Sequence, residues 1–212
     1  MDLDNFKSIN DLFGHSMGSF LTRTYIIDHP EGLKGVVISG TGQNPAAVVA
    51  AGKLMAKLEM IDNGPMYHSP TLDKLAFGSY NKLFAPNRTK VDWLSADESN
   101  VDDYIADPLC GADATVGLFR QMLHGIRFNQ RQSHLRQMDR EMPVLFVAGD
   151  KDPVGSCGKG VRQTYDAFRA AGMRDCTLKL YPGLRHEILN EKAYTADITK
   201  NIEAWLLSRL EK

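Results

Sequence analysis

Cysteine is scarce in this chain of 212 residues: there are three, Cys110, Cys157 and Cys176, and no two stand in a CxxC spacing. An odd count without that spacing argues against a disulfide framework or a zinc site and fits a reducing compartment, so a cytoplasmic protein is expected. An excess of charge of one sign is missing too. Lys and Arg number 25 against 26 Asp and Glu, a formal net charge of −1, which gives no electrostatic ground for nucleic acid or an anionic membrane as a partner. No run approaches the roughly 18 apolar residues of a membrane-spanning helix. The opening Met1-Asp2-Leu3-Asp4-Asn5 is acidic and lacks an apolar stretch, so a secretory leader is not expected. Internal repeats, low-complexity tracts, metal-ligand clusters and the phosphate-cradling P-loop pattern are also lacking, and no cofactor is expected.

What is present is an ordinary globular composition, 43% hydrophobic and 24% charged, in a chain long enough for one domain with an insertion. A short apolar run at 12–18 ends in Gly14-His15-Ser16-Met17-Gly18. Apolar residues at helical spacing follow over 17–29 (Phe20, Leu21, Tyr25, Ile26) and stop at His29-Pro30, as a helix does before proline. Gly35-Val36-Val37-Ile38-Ser39 and Pro143-Val144-Leu145-Phe146-Val147-Ala148-Gly149 are continuous apolar runs, the mark of strands buried on both faces. A helix over 158–171 stopped by Gly172, a strand at 177–181 and an amphipathic helix over 190–210, with Ile198, Ile202, Trp205, Leu206 and Leu210 on one face, complete the pattern. Strands alternating with helices imply an α/β fold with a mostly parallel sheet. The block 43–142 shows helical periodicity, at 45–60 and 114–126 among others, and no strong strand. The expected organisation is a core of 1–42 and 143–212, with 43–142 inserted as a helical cap over the sheet edge where ligands bind.

Ser16 stands in G-x-S-x-G between a strand and a helix, the setting in which that motif presents a nucleophilic hydroxyl on a sharp turn. Side chains two residues to either side are expected to collide with so tight a turn, hence Gly14 and Gly18. The Met17 N–H, at a helix N-terminus, is the expected backbone donor to a developing oxyanion. Asp152 lies just beyond the strand 143–149, where a carboxylate can meet a histidine Nδ1. Asp150 competes for that place, but Asp152 stands farther out and is followed by Pro153. Of six histidines, only His186 follows the last strand by a short loop; His15 is inside the turn, His29 ends a helix, and His68, His124 and His134 fall in the insertion. The order Ser…Asp…His completes a nucleophile, its base and the acid that orients the base. Cys157 reads as a small loop residue with no companion to lower its pKa. Glu187 reads as a helix-start carboxylate, favoured there by the dipole. Met55, Met60, Phe77, Tyr80, Phe119 and Met122 read most simply as cap packing, some of them open to lining an acyl tunnel.

On these residues the chain resembles the monoacylglycerol lipase and lysophospholipase-like branch of the α/β-hydrolases, the serine aminopeptidase S33 type. The likeness runs from about 12 to 210, through Gly14-His15-Ser16-Met17-Gly18, Gly149-Asp150-Lys151-Asp152-Pro153 and Gly183-Leu184-Arg185-His186-Glu187, with Ala106-Asp107-Pro108-Leu109-Cys110 similar to bacterial cap sequences. The resemblance implies an α/β-hydrolase fold incomplete at its N-terminal side and hydrolysis of a small-molecule ester or lysolipid without cofactor. In that family, strands and a His-Gly-type loop ahead of the turn give a second oxyanion N–H. Here 15 residues precede Ser16, so a catalytically impaired fragment or interaction module is the alternative, and a second copy or a domain swap is the expected cover for the open sheet edge. An aminopeptidase of the same family is a further alternative, for which Asp97, Glu98, Asp102 and Asp103 offer acids to hold an amine. Residues 2–18 also resemble the D-x-D-x-F-K-x-I-N-D-x-x-G-H segment of diguanylate cyclase (GGDEF) domains, although the GG[DE]EF signature is absent.

Overall fold

The structure is a computed structural model and describes residues 11–29 and 31–210, Leu210 by its backbone alone. Four parallel strands lie in the order of the chain: β1 (Asp11–His15), β2 (Gly35–Ser39), β3 (Val144–Gly149) and β4 (Cys176–Tyr181). Register runs Gly14 to Ile38, Ile38 to Phe146 and Phe146 to Leu178. Every residue of β2 and β3 is buried, as their unbroken apolar runs demand. β1 and β4 are the edges, and among the described residues β1 pairs with β2 alone.

Alternation along the strands divides the core. Val36, Ile38, Val144, Phe146 and Ala148 face Ile26 and Ile27 of α1 (Met17–Asp28) and Val161, Phe168 and Ala171 of α7 (Lys159–Ala171). Val37, Leu145 and Val147 face the opposite way, onto Leu184, Ile188 and the Ile198, Ile202, Trp205 stripe of α8 (Thr195–Leu210). The predicted face of α8 is therefore the buried one. The helix begins at Thr195, however, not at 190: the Glu191 carboxylate accepts the Ala96 and Asp97 N–H groups, and the chain turns there before it winds up.

Between β2 and β3 the chain forms α2 (Ala46–Asn63), α3 (Pro70–Phe77), α4 (Glu98–Ala106), α5 (Val116–Asn129) and α6 (Gln132–Leu135), with 3₁₀ turns at Asn81–Phe84 and Asp92–Leu94. Ser69, Asp97 and Thr115 cap α3, α4 and α5 by accepting a first-turn N–H, and Pro70 supplies a first helical residue that needs no such acceptor. A second small core of Ala56, Leu72, Val116 and Phe119 holds the block together, and Phe20, Val49 and Ile126 join it to α1. Arg23 of α1 is wholly buried at this junction. Its guanidinium donates to the Gly42 and Asn129 carbonyls, and burial lowers its pKa to about 9.

Candidate active site

The turn after β1 is sharp enough to force Ser16 to φ 53°, ψ −121°, a region an L-residue occupies only where its surroundings dictate it. They do so here. The Ser16 N–H donates to the Ser39 carbonyl at the end of β2 (3.0 Å), and the Ser16 carbonyl accepts both the N–H (2.9 Å) and the hydroxyl (2.6 Å) of Ser19. At Gly14 an added Cβ would lie 2.2 Å from Thr22 Oγ1 and 2.5 Å from the Gly18 carbonyl oxygen, so glycine is required. At Gly18 it would meet nothing within 4 Å. The expectation that both glycines are sterically forced is corrected: Gly18 already lies in the first turn of α1, where a side chain has open space. Met17 opens α1, so its N–H has no helical carbonyl four residues back to receive it.

Asp152 and His186 meet in the interior. Asp152 is fully buried, His186 is 2% exposed, and Oδ2 lies 3.0 Å from Nδ1. The carboxylate's other oxygen accepts the Val154 N–H at 2.9 Å. With Nδ1 committed to a carboxylate, the neutral imidazole carries its proton there and leaves Nε2 as the basic nitrogen. Asp150 does other work: it accepts the Gly183 N–H (2.8 Å), while the Lys151 N–H donates to the Leu184 carbonyl (2.9 Å). Both bonds fix the loop before His186 on the end of β3. Gly149 lets that loop come close, since a Cβ there would stand 2.1 and 2.2 Å from the Leu184 and Arg185 carbonyl oxygens.

Ser16 and Met17 form one wall of a cleft of about 290 Å³. Phe20 of α1 and Val154 after β3 also line it, but most of the lining comes from the helical block, with Val48, Leu72, Phe77, Tyr80, Trp93, Phe119, Met122 and Leu123 among it, and no residue of the lining is charged. The six residues read as cap packing therefore divide: Phe77, Tyr80, Phe119 and Met122 face the cleft, whereas Met55 and Met60 pack behind it. Burial, reinforced by the Asp152 charge, pushes the Tyr80 hydroxyl up to about 12. The turn at 92–95 is fastened to the His186 loop. Arg185 donates to the Ser95 carbonyl (2.9 Å) and to that of Asp92, the Glu187 N–H donates to Leu94 (2.7 Å), and the Trp93 ring centroid lies 5.2 Å from that of His186.

Three expectations change at this site. Glu187 does not start a helix; it sits in the loop ahead of α8, with its carboxylate 3.8 Å from His15 Nε2. The four acids considered for holding an amine are outside the cleft lining: Asp97 caps α4, Glu98 and Asp102 pair with Arg88, and Asp103 pairs with Lys192. His15, set aside as part of the turn, has its ring centroid 4.7 Å from that of His186, the two planes tilted by 40°. No local pattern signals His15 or Trp93, because their relation to His186 exists only after folding. All three cysteines are free, and among the described residues no His, Cys, Asp and Glu cluster is grouped as a metal would need.

The family model described as serine aminopeptidase, S33 (Hydrolase_4) matches residues 10–193. A monoacylglycerol lipase of Mycolicibacterium smegmatis is 29% identical over 209 residues, covering 94% of this chain and 62% of that protein. A highly thermostable carboxyl esterase from Bacillus coagulans, solved in complex with glycerol, superposes with a TM-score of 0.87 at 24% identity over 94% of this chain and 64% of its own. The monoacylglycerol lipase of Paleococcus ferrophilus gives 0.71 at 21% identity, over 97% and 71% of the two chains. At these identities the solved structures speak for the fold, a parallel sheet with flanking helices as in α/β-hydrolases. The chain spans less than two thirds of the length of the Mycolicibacterium protein. These matches lend no support to the diguanylate cyclase likeness of 2–18: Asp11–His15 is a strand of the hydrolase sheet, and residues 2–10 lie outside the described residues.

Proposed function

We propose that this chain, which belongs to the serine aminopeptidase S33 family of α/β-hydrolases, is a serine carboxylic-ester hydrolase for an acyl lipid of the monoacylglycerol or lysolipid kind, or for a small ester. The observation that carries the reading is a conjunction: a buried Asp152–His186 pair and a serine in a strained strand-to-helix turn, beside an apolar cleft without charge. In this reading Ser16 Oγ attacks the ester carbonyl as His186 Nε2 takes its proton. Asp152 holds the imidazole tautomer and stabilises the imidazolium, and the Met17 N–H donates to the oxyanion. His186 then protonates the leaving alcohol, and water, activated by the same nitrogen, releases the acid from the acyl-enzyme. Residues 1–42 and 143–212 are the hydrolase core, and 43–142 the cap that shapes the acyl pocket and excludes water. The uncharged lining favours an acyl chain over a cationic amine, which supports esterase over aminopeptidase chemistry. The likeness to the Mycolicibacterium monoacylglycerol lipase supports the same substrate class.

The test is labelling by a fluorophosphonate probe of purified, monodisperse protein beside Ser16→Ala and His186→Ala, followed by a panel of esters of graded acyl length. Labelling of the parent protein that both substitutions abolish is the expected result. A folded parent that takes no label removes the enzyme reading and leaves a catalytically impaired hydrolase fold.

A further inference from the structure

We propose that His15 and Glu187 form a second imidazole–carboxylate pair that positions the His186 ring and biases it towards its protonated form. The inference rests on the reading of His186 as the proton acceptor. Its basis is the packing around that ring. His15 Nδ1 lies 3.1 Å from the hydroxyl of Ser39, the residue whose carbonyl anchors the Ser16 N–H. The two imidazole rings are 4.7 Å apart and tilted by 40°. Gly40, at φ 59°, forms a floor under both: a Cβ there would be 3.0 Å from Cε1 of His15 and 3.0 Å from Cε1 of His186. His15 Nε2 is buried without a hydrogen-bond partner and points to Glu187 Oε1 at 3.8 Å. If the Ser39 hydroxyl donates to Nδ1, the His15 proton sits on Nε2 and faces that carboxylate.

Glu187 is fixed in turn by its backbone bond to Leu94 and by the Asn190 amide, which donates to its carboxylate. Contact with His15 holds its carboxyl below the usual range against the opposing effect of burial, and His186 adds in the same direction. Such coupling is reciprocal: a carboxylate kept ionised by a neighbouring imidazolium favours that imidazolium by the same free energy. The other groups facing these side chains are few. Asp152 contacts His186 from the β3 turn, and Tyr80 of the helical block feels Asp152. Burial shifts Tyr104 and Cys110 upward, with Glu187 adding in the same direction, so both are neutral at working pH. Arg185 is bound to the Asp92 and Ser95 carbonyls. Asp152 and Glu187 are thus the two negative charges that an imidazolium at His186 would meet, and His15 is the neighbouring ring whose own protonation would oppose it.

The experiment is an NMR pH titration of the imidazole protons in the full chain, with His186→Gln used for assignment, alongside the pH profile of fluorophosphonate labelling. In Glu187→Gln the His186 midpoint is expected to fall by about half a unit or more, and the acid limb of labelling to move with it; Glu187→Asp restores both. His15→Gln lowers the plateau labelling rate by about tenfold or more, since an ill-held imidazole is misplaced for proton transfer. A His186 midpoint within about 0.2 unit of the parent in Glu187→Gln, with signals still dispersed as in a folded protein, overturns the proposal. Should Glu187→Gln fail to fold, an unchanged midpoint in His15→Gln decides against it in the same way. The two readings separate cleanly. A shifted midpoint in a protein that takes no label upholds the pair and removes the hydrolase, whereas labelling with an unmoved midpoint does the reverse.

Discussion

Gly149→Ala should uncouple Asp152 from His186 while leaving the sheet in place. The added Cβ would lie 2.1 Å from the Leu184 carbonyl oxygen, 2.2 Å from that of Arg185 and 2.4 Å from the Leu184 carbonyl carbon, where ordinary contact begins at 3.4 Å. All three atoms are backbone, so no side-chain rotation relieves the clash, and the loop must withdraw by roughly 1 Å. That loop delivers His186 one residue later, and it is held by the Lys151 N–H to Leu184 bond and the Gly183 N–H to Asp150 bond. Overpacking of this kind costs about 1–3 kcal/mol of stability, and a displacement of about 1 Å at a reacting group costs about 10²-fold in rate. The assay is the second-order rate of fluorophosphonate labelling together with the urea midpoint, with Gly18→Ala as the matched control. At position 18 the Cβ meets open space in a helix, so that variant is expected to label normally and to be as stable as the parent or slightly more so. Labelling of Gly149→Ala within threefold of the parent, or an equal loss in Gly18→Ala, refutes the reasoning.

Phe168 is fully buried and meets Phe146 edge-on at 5.1 Å, so Phe168→Ala is expected to cost about 3–5 kcal/mol by denaturant unfolding; a loss under about 1 kcal/mol contradicts the assigned core. Burial pushes the Cys176 thiol up to about 12, so at pH 8 iodoacetamide should modify Cys176 far more slowly than the exposed Cys157, as followed by peptide mass spectrometry; equal rates in folded protein would count against its burial. The depressed Glu187 carboxyl stabilises the fold above the ordinary value of 4.5, and that contribution is lost as pH falls through the lower folded-state value. The urea-midpoint gap between the parent and Glu187→Gln is therefore expected to hold level above about pH 5 and to shrink from there towards about pH 3, and a gap independent of pH would exclude the coupling.

How far the chain could be read in advance depended on whether each signal was local. Gly35–Ser39 and Val144–Gly149 are unbroken apolar runs because both of their faces are covered, and that cause leaves its mark in consecutive residues. Gly172 marks the end of α7 because the cap there has φ 105°, which glycine adopts without strain. Asp152 and His186 were legible from their places beyond β3 and β4. Asp152 is the aspartate in contact with His186, while the Gly183 N–H engages Asp150. The rest was set by residues distant in sequence. The start of α8 waits on Glu191, whose carboxylate is bound 94 and 95 positions away. His15 and Trp93 reach His186 across the fold, and neither lies in a motif that names it. The steric demand at Gly18 was read from the motif, and local geometry shows that only Gly14 bears it.

The parallel sheet brings candidate residues that are far apart in sequence to one edge of the fold. Ser16 follows β1, Asp152 follows β3 and His186 follows β4, so all three issue from the same end of strands that run in one direction. Most of the cleft wall comes from elsewhere, the segment between β2 and β3, which would let chemistry and substrate choice vary independently were the two not joined. They are joined at 92–95. Trp93 lines the cleft and touches the His186 ring, while its neighbours Asp92, Leu94 and Ser95 hold Arg185 and Glu187 on either side of His186. A change at Val48 or Leu118, both exposed, alters the shape of the wall alone. A change at Trp93 or Arg185 alters the wall and the placement of the imidazole together. Substitutions at Val48, Leu75 or Leu118 should therefore leave the pH profile of labelling unmoved, whereas those along this turn should shift it.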